Sequence, residues 1–196
     1  MRSLNQGQLV LVLTVMLATL LNAGCAATAV GAGAAGVSAA VDRRTAGTLI
    51  DDEIIEVKGL TALGEDTELW DQAHLSVTSY NGIVLLSGEA PSAEMKQRAA
   101  DIVRRIEKVR HVYNEVAIAA PSSVLSRSND TYLSAKVKSA LLSAPDVTAN
   151  HVKVVTEAGT VFLMGILSRT EANTATEVTR RVGGVQRVVK LFEYRS

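Results

Sequence analysis

A single cysteine, Cys25, stands in a chain of 196 residues, and aromatic residues make up only 4% of it. One thiol cannot form an internal disulfide, so each folded domain is expected to stand on its own apolar core. Scarce aromatics and few basic residues argue against nucleic acid, which calls for a cationic stripe and stacking platforms. The formal net charge is zero, so no global field draws the chain to a polyanion. Catalytic patterns are missing too. His74, His111 and His151 lie far apart, show no H-x-x-x-H or H-x-x-E spacing, and read as surface or edge histidines. No glycine-rich loop precedes a helix in the phosphate-binding pattern, and no G-x-S-x-G elbow occurs. The carboxylate run Asp51-Asp52-Glu53 is expected to open a helix, where it complements the dipole without a metal; Asp130 reads the same way. Nothing here calls for an enzyme, a cofactor or a metal.

What is present begins at the N-terminus. Arg2 precedes an apolar run, Leu9 to Leu21, broken only by Thr14 and Thr19. The run gives way to Asn22-Ala23-Gly24-Cys25, small residues where a signal peptide would be cut. Residues 9–41 carry no charge, a length able to span a bilayer, although the second half is Ala/Gly-rich and weakly hydrophobic. On these residues alone, Cys25 is a core thiol, part of an uncleaved anchor, or a modified thiol at a mature N-terminus. Residues 25–44 have too little side chain to build a core and read as a tether, on the order of 25 Å in root-mean-square span.

The remainder divides at about residue 120. Residues 45–120 hold 7 Lys and Arg against 13 Asp and Glu, a net of −6; residues 121–196 hold 10 against 6, a net of +4. An acidic half joined to a basic half suggests two surfaces with different partners. The halves also repeat. Tyr80-Asn81-Gly82-Ile83-Val84-Leu85-Leu86-Ser87-Gly88 aligns with Glu157-Ala158-Gly159-Thr160-Val161-Phe162-Leu163-Met164-Gly165. Asn-Gly is a strong two-residue hairpin signal, and Ala-Gly is weaker turn chemistry in the same place. Helical stripes precede the hairpins, Ile50, Ile54, Val57 and Thr61 in one half and Leu133, Val137, Ala140 and Leu141 in the other. Further stripes follow, Met95, Ala99, Ile102 and Ile106, then Ala175, Val178 and Val182. A last strand is expected at Val109–Ile118 and again at Val185–Tyr194. Each half therefore reads helix–strand–strand–helix–strand.

Those paired units, with x-G-x-V-x-L-x-G hairpins, resemble two BON domains. Tyr113-Asn114-Glu115, Ser128-Asn129-Asp130-Thr131, Lys136-Val137-Lys138-Ser139 and Val161-Phe162-Leu163-Met164-Gly165 also carry the likeness. The apolar run ending at Cys25 resembles the signal and lipobox of bacterial lipoproteins, with Asn22 where Leu is usual. The combined resemblance implies an α+β fold of two tandem αββαβ BON domains, each a three-stranded mixed sheet packed by two helices. It divides the chain into a signal peptide (1–24), a lipidated tether (25–44), an acidic domain (45–120) and a basic domain (121–196). It further implies palmitate-type acylation at Cys25. Ala26, in place of Asp, implies export to the outer membrane of a Gram-negative bacterium, facing the periplasm. The implied role is cell-envelope integrity, with enrichment at division sites.

The basic half contains a candidate membrane-contacting helix. Tyr132 near its start, with Lys136 and Lys138 close by, suits a headgroup boundary. In the pattern that the resemblance implies, this helix is the surface for anionic phospholipid such as phosphatidylglycerol or cardiolipin, with Tyr132 where Trp is usual. The candidate face comprises Tyr132, Leu133, Lys136, Val137, Lys138 and Leu142. Leu133, Val137 and Leu141 also suit a sheet-facing stripe, which leaves Tyr132 and Leu142 as the better lipid contacts. The rival reading is a protein adaptor. In it Asp51, Asp52, Glu53, Glu65, Asp66, Glu68 and Asp71 of the acidic domain dock an outer-membrane assembly or cell-wall protein.

Overall fold

The structure, a computed structural model, describes residues 42–120 and 122–195. Cys25, the signal and most of the tether lie outside the described residues. The first half contains α1 (Ala46–Glu65), α2 (Thr67–Gln72), β1 (His74–Tyr80), β2 (Ile83–Ala90), α3 (Ala93–Arg104), β3 (His111–Asn114) and β4 (Ala117–Ile118). The second contains α4 (Val124–Leu142), a 3-10 turn (Ala149–His151), β5 (Lys153–Glu157), β6 (Thr160–Leu167), α5 (Arg169–Arg180) and β7 (Arg187–Tyr194). In each half the central strand pairs antiparallel with its hairpin partner and parallel with the last strand. The long last strand expected in the first half is divided into β3 and β4, which lie along the same edge of β2. The short helix α2 has no counterpart among the sequence expectations.

Side chains alternate across each central strand, so β2 sends Val84, Leu86 and Ala90 toward α1 and α3. Its counterpart β6 sends Val161, Leu163 and Leu167 toward α4 and α5. Gly88 has φ +110, and an added Cβ would sit 1.9 Å from the His74 carbonyl oxygen, so β2 tolerates no side chain there. The stripe Leu133, Val137 and Leu141 is buried, as its spacing predicts. The α1 stripe is a correction. Ile50 is 60% exposed and Val57 63% exposed, while Asp52, Ile55, Gly59 and Leu63 face inward. The reason is steric and polar. A Cβ on Gly59 would lie 2.9 Å from a Val77 methyl, and Asp52 reaches the hairpin turn.

Asp52 and Asp130 correct a second expectation. Neither sits at a helix start; each is the seventh residue of its helix. Asp52 accepts hydrogen bonds from Ser79 Oγ (2.6 Å), Asn81 N (2.7 Å) and Gly82 N (2.8 Å), and pairs with Arg44 at 2.8 Å. Asp130 accepts from Ala158 N and Gly159 N, both at 2.9 Å. Both turns have positive φ at their two central residues, Asn81-Gly82 and Ala158-Gly159. Alanine disfavours that region, and the buried Asp130 carboxylate offsets the strain by satisfying both amides.

The second faces of the two sheets pack on each other. Tyr80 and Leu85 meet Phe162, Met164 and Leu191, with Ile83, Val155, Ile166 and Val189 around them. The expectation that each domain stands on its own core is therefore corrected: a third core is shared. Polar pairs frame it. Lys153 pairs with Glu56 at 2.6 Å and donates to the Ser79 carbonyl at 3.1 Å. Asn81 donates to Glu193 at 2.6 Å, and Arg110 pairs with Glu193 at 2.9 Å. Arg43, just before α1, reaches the second half, donating to the Ile166 carbonyl (2.7 Å) and to both Glu171 oxygens (3.0 and 2.6 Å).

Two outcomes follow. Replacing Asp52 with alanine strands buried donors and should cost about 3 kcal/mol of unfolding free energy in urea titration, against about 2 kcal/mol for Asp130→Ala. The Arg43 guanidinium holds the Glu171 carboxyl down to about 2. A depressed carboxylate contributes stability above its unfolded value of 4.5, and that contribution fades as pH falls from 4.5 through 2. Arg43→Ala should therefore cost about 2 kcal/mol at pH 7 and much less near pH 2, as read by denaturant midpoints.

Candidate functional site

The candidate surface is the outer side of α4. Ser123 caps the helix, its Oγ accepting from Ser126 N. Successive residues turn by about 100°, so Asp130, Leu133, Val137 and Leu141 share the buried side. Of the six candidate residues, Leu133 (3% exposed) and Val137 (0%) thus belong to the core and are unavailable to a surface ligand. Their apolar side chains fill the space between α4 and β6, which is why the helix sits where it does.

The other four face outward. Tyr132 is 65% exposed and Leu142 72%. They lie about 80° apart around the axis, with Lys136 beside Tyr132 and Lys138 beside Leu142. Leu125, 81% exposed, falls on the Tyr132 side. Its exposure escaped the sequence reading because the residue precedes the stripe that defines the helix. Lys136 sits 5.6 Å from the Tyr132 ring centroid and donates to the Gly183 carbonyl, so its ammonium is partly held. Lys138 makes no ion pair among the described residues. It lines a cleft of about 380 Å³ with Ile50 and Glu53 of α1 and Lys153 of β5. Three large apolar side chains flanked by two lysines about 160° apart around the axis have the chemistry of an interface between water and lipid headgroups.

Of the seven acidic candidates in the first half, Glu53, Glu65 and Asp71 are exposed and the other four are buried or paired. Asp52 is buried, Asp51 pairs with Lys108 at 2.7 Å, and Asp66 and Glu68 both pair with Arg98. Asp66 also caps α2, accepting from Leu69 N. That half also exposes apolar side chains: Ile50, Ile54, Val57 and Leu60 along α1, and Trp70 on α2. The histidines are dispersed. His111 stacks edge-on with Tyr113, with 4.5 Å between ring centroids, and His151 is buried rather than at the surface. Among the described residues no group of three His, Cys, Asp or Glu is arranged to hold a metal, and no helix is long and apolar enough to cross a membrane.

Comparison with known proteins adds independent findings. The BON domain family matches residues 51–120 and 129–196. The outer membrane lipoprotein DolP of Haemophilus influenzae is 37% identical over 177 residues, covering 90% of this chain and 92% of that protein. A 21 kDa hemolysin of Actinobacillus pleuropneumoniae is 40% identical over 154 residues, covering 79% of each. The osmotically-inducible protein Y of Escherichia coli is 29% identical over 145 residues, covering 72% of each. Two BON matches fall on the two sheet-and-helix units, and a relative aligned over nearly its full length is a lipoprotein of the outer membrane. The chain belongs to the BON-domain family, as a DolP-like outer-membrane lipoprotein of the Gram-negative cell envelope.

Proposed function

We propose that this lipoprotein is non-enzymatic, is acylated at Cys25, and binds anionic phospholipid through the outer face of α4. In this reading its domains span residues 45–120 and 121–196, and binding supports envelope integrity, including at division sites. The observation that carries the reading is the exposure of Leu125, Tyr132 and Leu142 beside Lys136 and Lys138 on one helix. Each lysine near an anionic surface contributes about 1 kcal/mol, fading within a Debye length of roughly 8 Å. Two lysines and a few apolar tips give weak binding on their own. An acyl anchor makes weak binding sufficient, because it holds the domain at high effective concentration beside the bilayer.

A second reading, docking of an outer-membrane assembly or cell-wall protein on the first domain, is favoured by the exposed α1 stripe and Trp70. Photo-crosslinking from Val57 in whole cells separates the two. Capture of a protein there, with vesicle binding absent, supports docking and removes the lipid reading.

The test of the lipid reading is flotation of residues 42–196, a single compact unit, with vesicles. Recovery with phosphatidylglycerol or cardiolipin vesicles should exceed that with zwitterionic vesicles. Tyr132→Ala and Lys138→Glu should each lower it by about threefold to tenfold, in keeping with about 1 kcal/mol per group. Equal recovery on both vesicle types contradicts the proposal.

A further inference from the structure

At one end of the shared interface the packing changes from apolar to acidic. Leu85, Ser87 and Glu89 share one face of β2, and Val155 and Glu157 share one face of β5. Glu89 comes from the first domain and is 5% exposed, and its Oε2 has no hydrogen-bond partner among the described residues. Glu157 comes from the second domain and, among the described residues, accepts a single long hydrogen bond of 3.4 Å from Ser87 Oγ. The neighbourhood gives the pair little compensation. Asp130 of α4 adds a further negative charge, and its oxygens are committed to the Ala158 and Gly159 amides. Arg127 of α4 is the positive charge acting on Glu157, but its guanidinium donates to the Ser122 carbonyl. His74 is opposite Glu89 on β1. Arg187 of β7 is one strand beyond Glu157 and pairs with Glu115 at 3.8 Å. Lys153, on the same face of β5, is occupied by Glu56.

We infer that Glu89 and Glu157 form a proton-gated contact between the two BON domains, closed when Glu157 is protonated and loosened when it is ionised. Glu157 is half-buried and reaches Ser87, the neighbour of Glu89 on one face of β2, so its charge is poorly compensated there and a proton on it removes the repulsion between the two carboxylates. Burial, then the charges of Glu89 and Asp130, push the Glu157 carboxyl up to about 7. The sign is fixed by the direction of that shift. A carboxyl raised from 4.5 in the unfolded chain to about 7 in the folded one binds more protons when folded. Its contact is therefore undisturbed below about 4.5 and is progressively lost as pH rises through 7. An outer-membrane protein facing the periplasm meets the pH of the surroundings, so the device would register alkalinity. This inference goes beyond the lipid reading and does not depend on it.

The test is a distance measurement on the full chain in detergent, in a Cys25→Ser background, with spin labels at Gln97→Cys on α3 and Asn173→Cys on α5. One narrow distance distribution is expected at pH 5.5, with the longer-distance population at least doubling by pH 8.5. Glu157→Gln, which keeps the shape but cannot ionise, should hold the narrow distribution across that range. A carboxyl-carbon NMR titration of Glu157 should give a midpoint near 7, lowered by at least one pH unit in Glu89→Gln. A pH-independent distribution in the parent chain overturns the inference, as does an equal pH response in Glu157→Gln. So does a Glu157 midpoint below 5.

Discussion

Each sheet in this protein has helices on one face only, and the uncovered faces are apolar at their centres. That constraint organises the rest. A half-covered sheet with Phe162, Met164 and Leu191 on one side and Tyr80 and Leu85 on the other has one economical solution, which is to pack the two bare faces together. Burying a large apolar side chain contributes about 1.5–3 kcal/mol, so this five-residue cluster rivals the net stability of a small domain. With one cysteine in the chain, no disulfide does this work.

The shared core explains why charged residues gather at its rim. Arg43, Lys153 and Arg110 come from opposite sides of the junction, and each meets a carboxylate of the other domain. Charges so placed cost little desolvation at the edge and penalise any sliding of one sheet over the other. They do not account for the acidic and basic halves, since Lys153 meets an acid of the acidic half but Arg43 and Arg110 meet acids of the basic half. Part of that charge is engaged across the junction or within the first domain, so the charge difference between halves is an unreliable guide to outside partners. The helices, by contrast, remain on the outside, and α4 keeps its full solvent face for another use.

Much of the fold was legible in the sequence, for identifiable reasons. The repeat about Asn81-Gly82 and Ala158-Gly159, and the stripe Leu133, Val137, Leu141, located the hairpins and one helix face correctly. Helix α1 misled because periodicity counts apolar side chains, and its inward face is led by Asp52 and Gly59, chosen for a hydrogen bond and a close approach. The role of Asp130 was hidden for the same reason: its partners are backbone amides 28 and 29 residues away. The junction was invisible because alternation along a strand reports that both faces are apolar without saying what covers the second. Of the candidate surface, Tyr132, Lys136, Lys138 and Leu142 were legible as exposed positions. Leu133 and Val137 were legible as sheet-facing positions through their spacing with Leu141, and their burial removes them from the candidate surface.

The central claim is that the two BON domains act as one body through the shared core. Trp70, the only tryptophan, lies in the first domain and reports on it alone, whereas far-ultraviolet circular dichroism reports on both. Equilibrium unfolding in urea at pH 6, followed by both signals, tests the claim directly. Coincident transitions with one midpoint are predicted, because separating the domains exposes the same residues that hold each sheet. A Trp70 transition displaced from the circular dichroism transition, with an intermediate plateau, would show two independent domains and contradict the account.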